Sequence, residues 1–112
     1  MALILANAGG TGGEIEMSTL EHDYYLANST NVPKSFTCKK GDVIVISRGG
    51  SNKAGNVTIS SLVNCTIIAG ASSVTGSYCT LLQATADGTT GATIFQAISS
   101  DIYVNFDLLS VV

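Results

Sequence analysis

Hydrophobic and polar residues alternate along much of the chain with the period of two that is typical of β-strands. The clearest stretch is Lys40–Ser47, where a turn signal leads into four consecutive β-branched apolar residues. Since successive side chains of a strand point to opposite faces, Val43 and Val45 share one face while Ile44 and Ile46 share the other. Both faces must then meet apolar material, which predicts a central strand in the middle of a sandwich.

The residues before this stretch predict further strands. In residues 14–27 we expect Ile15 and Met17 to face the core, with helix as the competing interpretation because Glu, Met, Leu and Ala are good helix formers. Ser35–Cys38 predicts a short strand, and the Lys39–Asp42 turn after it is a hairpin signal. The sequence therefore predicts that this short strand pairs with the central one.

The second half of the chain continues the alternation. Apolar residues occupy the odd positions 57, 59, 63, 65 and 67, a run too long for one ordinary strand, so we expect a bend near Ser61–Asn64 that divides it. Asp87–Gly91 predicts a turn, and Thr93–Ile98 another strand. In the last strand the residues expected to face inward are Ile102, Val104, Phe106 and Leu108.

These segments amount to about eight strands, separated by turn clusters and accompanied by no convincing helix. The predicted fold is all-β: a two-sheet antiparallel sandwich, with a jelly-roll-like topology preferred. An immunoglobulin-like sandwich is the second choice, because the chain has no Trp to fill the buried position usual in that fold.

The N-terminal residues have a different composition from the rest. Residues 1–8 are apolar except for Asn7, and four of the five residues in Gly9–Gly13 are glycine, so we interpret residues 1–8 as an arm or first strand that docks on a neighbour and the glycine-rich residues as a linker. Residues 14–112 are then a single domain. The apolar run Ala2–Ala6 is too short for a secretory signal and has no basic residues before it, so no signal peptide is expected. No window is apolar enough for membrane insertion.

Charged residues make up only 12% of the 112 residues, and hydroxyl side chains take much of their place. A soluble monomer normally keeps a more charged surface, so we expect a homo-oligomer, with a trimer as the expected size. The five basic residues lie between Lys34 and Lys53 in a chain of net charge −3. They form no stripe that would follow a phosphate backbone, and nucleic-acid binding is not expected.

The sequence shows no constellation for catalysis, for a metal or for a cofactor. Cys38, Cys65 and Cys79 have no metal-binding spacing, and His22 is far from each of them in the chain. We expect three reduced thiols and assembly in a reducing cytoplasm, although one cysteine pair could oxidise after release. The chain is accordingly interpreted as a protein without enzymatic activity.

One group of residues could bind a ligand. Tyr24 or Tyr25, together with Tyr103, Asn105 and Asp107 on an outward face, would offer aromatic rings and hydrogen-bonding groups to a carbohydrate. The competing interpretation is that outward tyrosines stabilise cross-strand pairs or fill a subunit interface.

Three features resemble small β-sandwich modules of bacteriophage virions, such as tail-fibre heads and capsid-associated proteins. They are the run Phe36–Val45, the low-charge Ser/Thr/Gly strands after it, and the terminal strand Ile102–Val112. The resemblance covers residues 34–112 and carries over no functional residue. It implies a structural module of the virion that contacts itself, other virion proteins or a glycan of the host surface. The alternatives are a carbohydrate-binding accessory module and, third, an enzyme.

Overall fold

The structure, a computed structural model, describes residues 14–26, 31–50, 57–70, 73–74, 79–96 and 102–111. The predicted arm and linker, residues 1–13, lie outside these ranges. Within them there is no helix, and hence none of the length and apolarity needed to cross a membrane. The strands are β1 (Ile15–Leu26), β2 (Asn31–Cys38), β3 (Val43–Gly50), β4 (Val57–Val63), β5 (Cys65–Ala69), β6 (Ser73–Val74), β7 (Cys79–Ala84), β8 (Gly88–Gln96) and β9 (Ile102–Val111).

These strands form two antiparallel sheets. The five-stranded sheet has the order β1-β9-β3-β7-β5, and the four-stranded sheet has the order β2-β8-β4-β6, in which β6 has only two residues. The prediction of a two-sheet antiparallel sandwich of about eight strands is confirmed.

The chain alternates between the sheets, since odd-numbered strands lie in one sheet and even-numbered strands in the other. Apart from the additional edge strand β5, the orders 1-9-3-7 and 2-8-4-6 are those of a jelly roll, which wraps two Greek keys around one core. The preferred jelly-roll topology is therefore confirmed.

The core lies between the inner faces of the two sheets. Its largest side chains include Phe106, Ile44 and Leu82 from the five-stranded sheet and Ile94 and Val57 from the other, all almost completely buried. Burying a side chain of this size stabilises a fold by about 1.5–3 kcal/mol. The expected inward orientation of Val104 and of Phe106 is confirmed. Of the two apolar faces of β3, the structure buries that of Ile44 and Ile46, whereas Val43 and Val45 are only half-buried.

The predicted bend near Ser61–Asn64 is confirmed and has a structural role. Ser61 and Asn64 have φ values of 49° and 52°, in the left-handed region that most side chains avoid. Asn64 follows β4 and makes the crossing to β5 in the other sheet, and its side-chain amide donates a 2.9 Å hydrogen bond to the Thr89 carbonyl. This corner therefore joins the two sheets covalently.

The predicted hairpin at Lys39–Asp42 is wrong, because the strands on its two sides lie in different sheets. The turn itself is present, with Gly41 at φ 95°. The Gly41 N–H donates to the Ala84 carbonyl at 2.9 Å, and the Ala84 N–H donates to the Asp42 carbonyl at 2.8 Å. These bonds tie the turn to the end of β7, so that it arches over the core.

The predicted turn at Asp87–Gly91 is also mostly wrong. Only residues 85–87 are irregular, and β8 begins at Gly88. Gly91, which the prediction placed in the turn, lies inside β8. A Cβ at this position would collide with the Lys34 carbonyl oxygen of neighbouring β2, so the strand requires a glycine there. The glycine therefore serves close strand packing here and does not mark a turn.

The orientation predicted for the start of β1 is inverted. Glu16 and Ser18 pair with Ser110 and Leu108 and share the inner face with them, so Ile15 and Met17 point away from the core. The inward set of this segment includes Leu20, which packs against the core, so apolar residues occur on both faces and the alternation alone does not identify the inner one. Two register shifts between Thr19 and Tyr24 each add one residue to β1, and together they restore the phase, so Tyr25 points to the same side as Met17.

Candidate functional site

The most distinctive surface is the side of the five-stranded sheet that faces away from the core, called the outer face below. A residue is assigned to this face when its neighbours along the strand are buried, because successive side chains point to opposite sides. A residue that pairs with an assigned residue on the next strand is assigned to the same face. The apolar and aromatic members are Ile15, Met17, Tyr25, Val43, Val45, Leu81, Tyr103 and Leu109. The polar members are Thr19, Ser47, Thr66, Cys79, Gln83, Asn105 and Asp107.

The apolar members are adjacent to one another across the strands. Leu109 lies between Met17 of β1 and Val43 of β3, and Val45 pairs with Leu81 of β7. Directly opposed side chains in antiparallel strands have Cβ atoms about 5 Å apart, so these residues form a continuous patch. Each is half-buried by its neighbours alone, with no second layer over it in the described part of the chain.

The outer face is almost without charge except at the β1 bulge, where the exposed His22 and Asp23 lie beside Asn105. Among the fifteen members named above, Asp107 is the only ionisable acid or base apart from the cysteine and the tyrosines, and its strand neighbours are Thr19 and Val45. A solvent-exposed sheet normally places charged residues on its outward positions. A face with this composition resembles the inner part of an interface more than an ordinary solvated surface.

Four of the five residues predicted to bind a carbohydrate lie on the outer face. The rings of Tyr25 and Tyr103 face each other across β1 and β9, with centroids 5.7 Å apart and planes inclined at 58°. The Asn105 side-chain oxygen accepts a 2.8 Å hydrogen bond from the Asp23 N–H, so part of its hydrogen-bonding capacity is used within the fold. Asp107 lies on the same strand and face.

Of the two tyrosines offered by the sequence, Tyr24 does not join this group, because its side chain points to the opposite side of the sheet. Tyr24 packs against the core. The Lys34 ammonium group lies 3.7 Å from the centre of its ring and forms a 2.7 Å ion pair with Glu21. Lys34 belongs to β2 and Glu21 to β1, so this inter-sheet clasp of Lys34, Glu21 and Tyr24 connects the edge strands of the two sheets.

A second polar feature is a cleft of about 360 Å³ at one end of the sandwich, lined by residues that include Glu16, Ser18, Cys38 and Asp42. The Asp42 carboxylate accepts a 2.9 Å hydrogen bond from the Lys39 N–H, which holds the turn. Burial raises the pKa of the Cys38 thiol, so near neutral pH it is an uncharged and weak nucleophile.

The remaining titratable groups of interest do not converge. The His22 side chain is well exposed and lies 3.9 Å from Asp23, whereas Cys38 and Cys65 are buried. In the part of the chain that the structure describes, no three His, Cys, Asp or Glu side chains gather in a way that could hold a metal ion.

Sequence reasoning missed the extent of the outer face. It placed Ile15 and Met17 in the core, and it did not connect Leu109 or Leu81 with Val43 and Val45. The signal was present in β3, where both faces are apolar. A strand that is central within its sheet can still have one apolar face without a covering layer.

The chain matches no protein-family model, no curated protein and no solved structure.

Proposed function

We propose that this protein is a non-enzymatic structural module that assembles with copies of itself through the outer face. The observation that carries this proposal is the continuous patch around Val43, Val45 and Leu109, in which Asp107 is the only carboxylate. Leaving such a patch in water is unfavourable by roughly 25 cal/mol for each Å² of apolar surface. Association of copies removes that cost.

The size of the outer face suits a second copy as the occupant. Five strands spaced about 4.8 Å apart and about 20 Å of strand length give an area of roughly 480 Å². Two copies packed face to face would bury about 1,000 Å² in total, which is near the lower limit for a specific protein–protein interface. The near absence of charge offers no complementarity to a charged partner, whereas it suits a copy with the same surface.

We further propose that the assembly belongs to a virion of the bacteriophage type, where it meets other virion proteins or a host surface. Jelly rolls recur in viral capsid and lectin domains, which supports this setting by analogy of fold. The three cysteines are free thiols, in keeping with assembly in a reducing cytoplasm.

Sedimentation velocity of the full chain and of Val45→Lys tests the assembly proposal. The charge in the middle of the patch is expected to weaken association at least about tenfold. The matched control is Ser60→Lys, which places the same charge on an exposed position of β4 in the other sheet and is expected to leave association unchanged. Equal sedimentation of the two variants would overturn the proposal, and the size of the wild-type species tests the expected trimer.

Cys79 provides a second measurement without any mutation. It is exposed on the outer face opposite Ser47, while Cys38 and Cys65 are buried. If copies cover this face, alkylation of Cys79 by iodoacetamide slows as the protein concentration rises. A labelling rate that stays constant while sedimentation reports association would place the contact elsewhere.

A carbohydrate-binding accessory module is the second candidate, favoured by the tyrosine pair beside Asn105 and Asp107. Glycan binding requires the outer face to be open, whereas self-assembly covers it, so the two functions make opposite predictions. A specific hit on a glycan array that is lost in Tyr103→Ala would support the binding module. No hit, together with a stable oligomer, would support the structural one.

A further inference from the structure

The edges of the two sheets differ in how they are protected against pairing with another strand. Edge strand β1 carries charged residues and two register shifts, and edge strand β2 contains Pro33 and the inward-pointing Lys34. Edge strand β6 has only two residues. Charges, bulges, proline and short length are the means by which proteins block edge-to-edge association.

Strand β5 is the fourth edge strand; it is five residues long and has one register shift, between Ile67 and Ala69, but it lacks the charges and proline that protect β1 and β2. Its sequence, Cys65–Ala69, contains no charged residue and no proline. Ile68 is 48% exposed, and at the adjoining corner Leu62 and Val63 are 39% and 45% exposed. Three of the four exposed large hydrophobic residues in the described ranges therefore lie on or beside this edge.

We infer that the free edge of β5 accepts the N-terminal arm, residues 1–8, of a neighbouring copy as an additional strand. This inference rests on the proposed self-assembly for the identity of the partner. The arm lies outside the described residues, and its run Ala2–Ala6 is uncharged, free of proline and of the same length as β5. Strand addition of this kind obtains affinity from main-chain hydrogen bonds and from alternate side chains.

The position of the linker favours a neighbouring copy over the same chain. The arm joins the sheet at β1, which is the edge opposite β5 in the order β1-β9-β3-β7-β5. Four inter-strand spacings separate the two edges by about 19 Å. The seven residues 7–13 reach about 24 Å only when fully extended, and a Gly-rich segment of this length has a mean span of about 15 Å.

The resulting contact differs in kind from face-to-face packing. The arm and the β5 edge are different surfaces, so each copy donates one strand and accepts another. Such a head-to-tail contact closes into a ring or continues as an open chain, depending on the rotation between copies. The outer face and the arm would then provide two independent contacts for building a larger assembly.

Mixing two complementary variants tests the inference, with Val45→Lys present in both to weaken association through the outer face. The donor carries Ile68→Lys, which places a charge on the β5 edge and leaves the arm intact. The acceptor lacks residues 2–8 and keeps the wild-type edge. We expect each variant alone to be monomeric by native mass spectrometry, and the mixture to form a 1:1 complex.

Controls separate this result from other effects. Ser35→Lys, on the exposed side of edge strand β2, replaces Ile68→Lys in a control donor and is expected to restore self-association. Leu3→Asp replaces the deletion in a second acceptor, in case truncation impairs folding. A fluorescent peptide of residues 1–13 is expected to bind the acceptor and to bind at least about tenfold more weakly after Ile68→Lys is added.

Absence of both the 1:1 complex and peptide binding would overturn the inference. So would a 1:1 complex that forms equally well with Ile68→Lys in both chains. Either result leaves the proposed function intact, because that proposal depends on the difference between Val45→Lys and Ser60→Lys in the full chain.

Discussion

Removing the charge of Lys34 and removing the charge of Glu21 should lower the stability of the fold by different amounts, although the two residues form one ion pair in the inter-sheet clasp. The side chain of Lys34 is 17% exposed and that of Glu21 is 34% exposed, and their 2.7 Å ion pair links β2 to β1. Lys34→Met keeps the apolar stem and removes the charge, whereas Glu21→Gln keeps the shape and leaves the ammonium group without its anion. We predict that Glu21→Gln is the more destabilising change.

The magnitudes follow from the surroundings of each group. An ion pair with one third-exposed partner contributes at most about 1 kcal/mol, because water screens it. The ammonium group 3.7 Å from the Tyr24 ring centre adds about 0.5–1 kcal/mol. Lys34→Met should therefore cost about 1–2 kcal/mol, since Glu21 can regain water. Glu21→Gln should cost about 2–3 kcal/mol, because a charge that is largely buried loses its partner.

Urea unfolding of the two single variants and the double variant measures their free energies of unfolding. All measurements use one protein concentration, because association would add to the apparent stability. The double variant should be close to Lys34→Met alone, so the coupling free energy should be close in size to the cost of Glu21→Gln, about 2–3 kcal/mol. A coupling below about 0.3 kcal/mol, or a larger loss for Lys34→Met than for Glu21→Gln, would refute the reasoning.

Three further predictions concern backbone and thiol groups. Gly91→Ala should cost about 3 kcal/mol, because its Cβ meets the backbone of β2, whereas Gly41→Ala, with open space around it, should cost only about 1–2 kcal/mol for its positive φ; a reversed order in urea unfolding would contradict this. Burial raises the pKa values of Cys38 and Cys65 in the fold, so their contribution to stability is complete below about pH 8.5 and is lost as the pH rises through the raised values. Unfolding free energies measured between pH 8 and 10 should fall with pH, and this slope should be smaller in the double alanine variant. Asn64→Ala should lower stability by about 1–2 kcal/mol and Asn64→Gly by less, because glycine accepts the φ of 52° although both variants lose the side-chain hydrogen bond; thermal midpoints in the opposite order would rule out backbone strain as the cause.

The fold class was readable from the sequence because period-two alternation survives wherever a strand is regular. The corner at Ser61–Asn64 was readable for a related reason, since the alternating run exceeded the usual length of a strand. The partner of each strand was not readable. Lys39–Asp42 would form a tight turn both in a hairpin within one sheet and in a crossing between two sheets. The crossing is held by hydrogen bonds that join Gly41 and Asp42 to Ala84, which lies 42 or more residues further along the chain.

The candidate site was only partly readable, because alternation alone does not tell which of the two faces of a strand meets the core. Ile15 and Met17 are apolar and yet lie on the outer face, while Leu20 and Tyr24 pack against the core. The two register shifts in β1 each add one residue and together restore the phase, so Met17 and Tyr25 share one side of the sheet. Tyr103, Asn105 and Asp107 were placed correctly because β9 pairs with β3 without a shift. A continuous patch made by four strands becomes visible only when the order of those strands is known.

The pairing of β1 with β9 has a consequence for how the protein is made. Ile15 finds its partner at Val111, and in the described residues no two strands that follow each other in the chain pair with each other. On the ribosome the first strand must wait for almost the whole of this sequence to emerge before its sheet can close, and nascent chains that stall earlier would expose unpaired strands to one another. Slow translation would therefore give this fold no advantage, whereas a chaperone that holds the emerging chain would raise the yield of native protein.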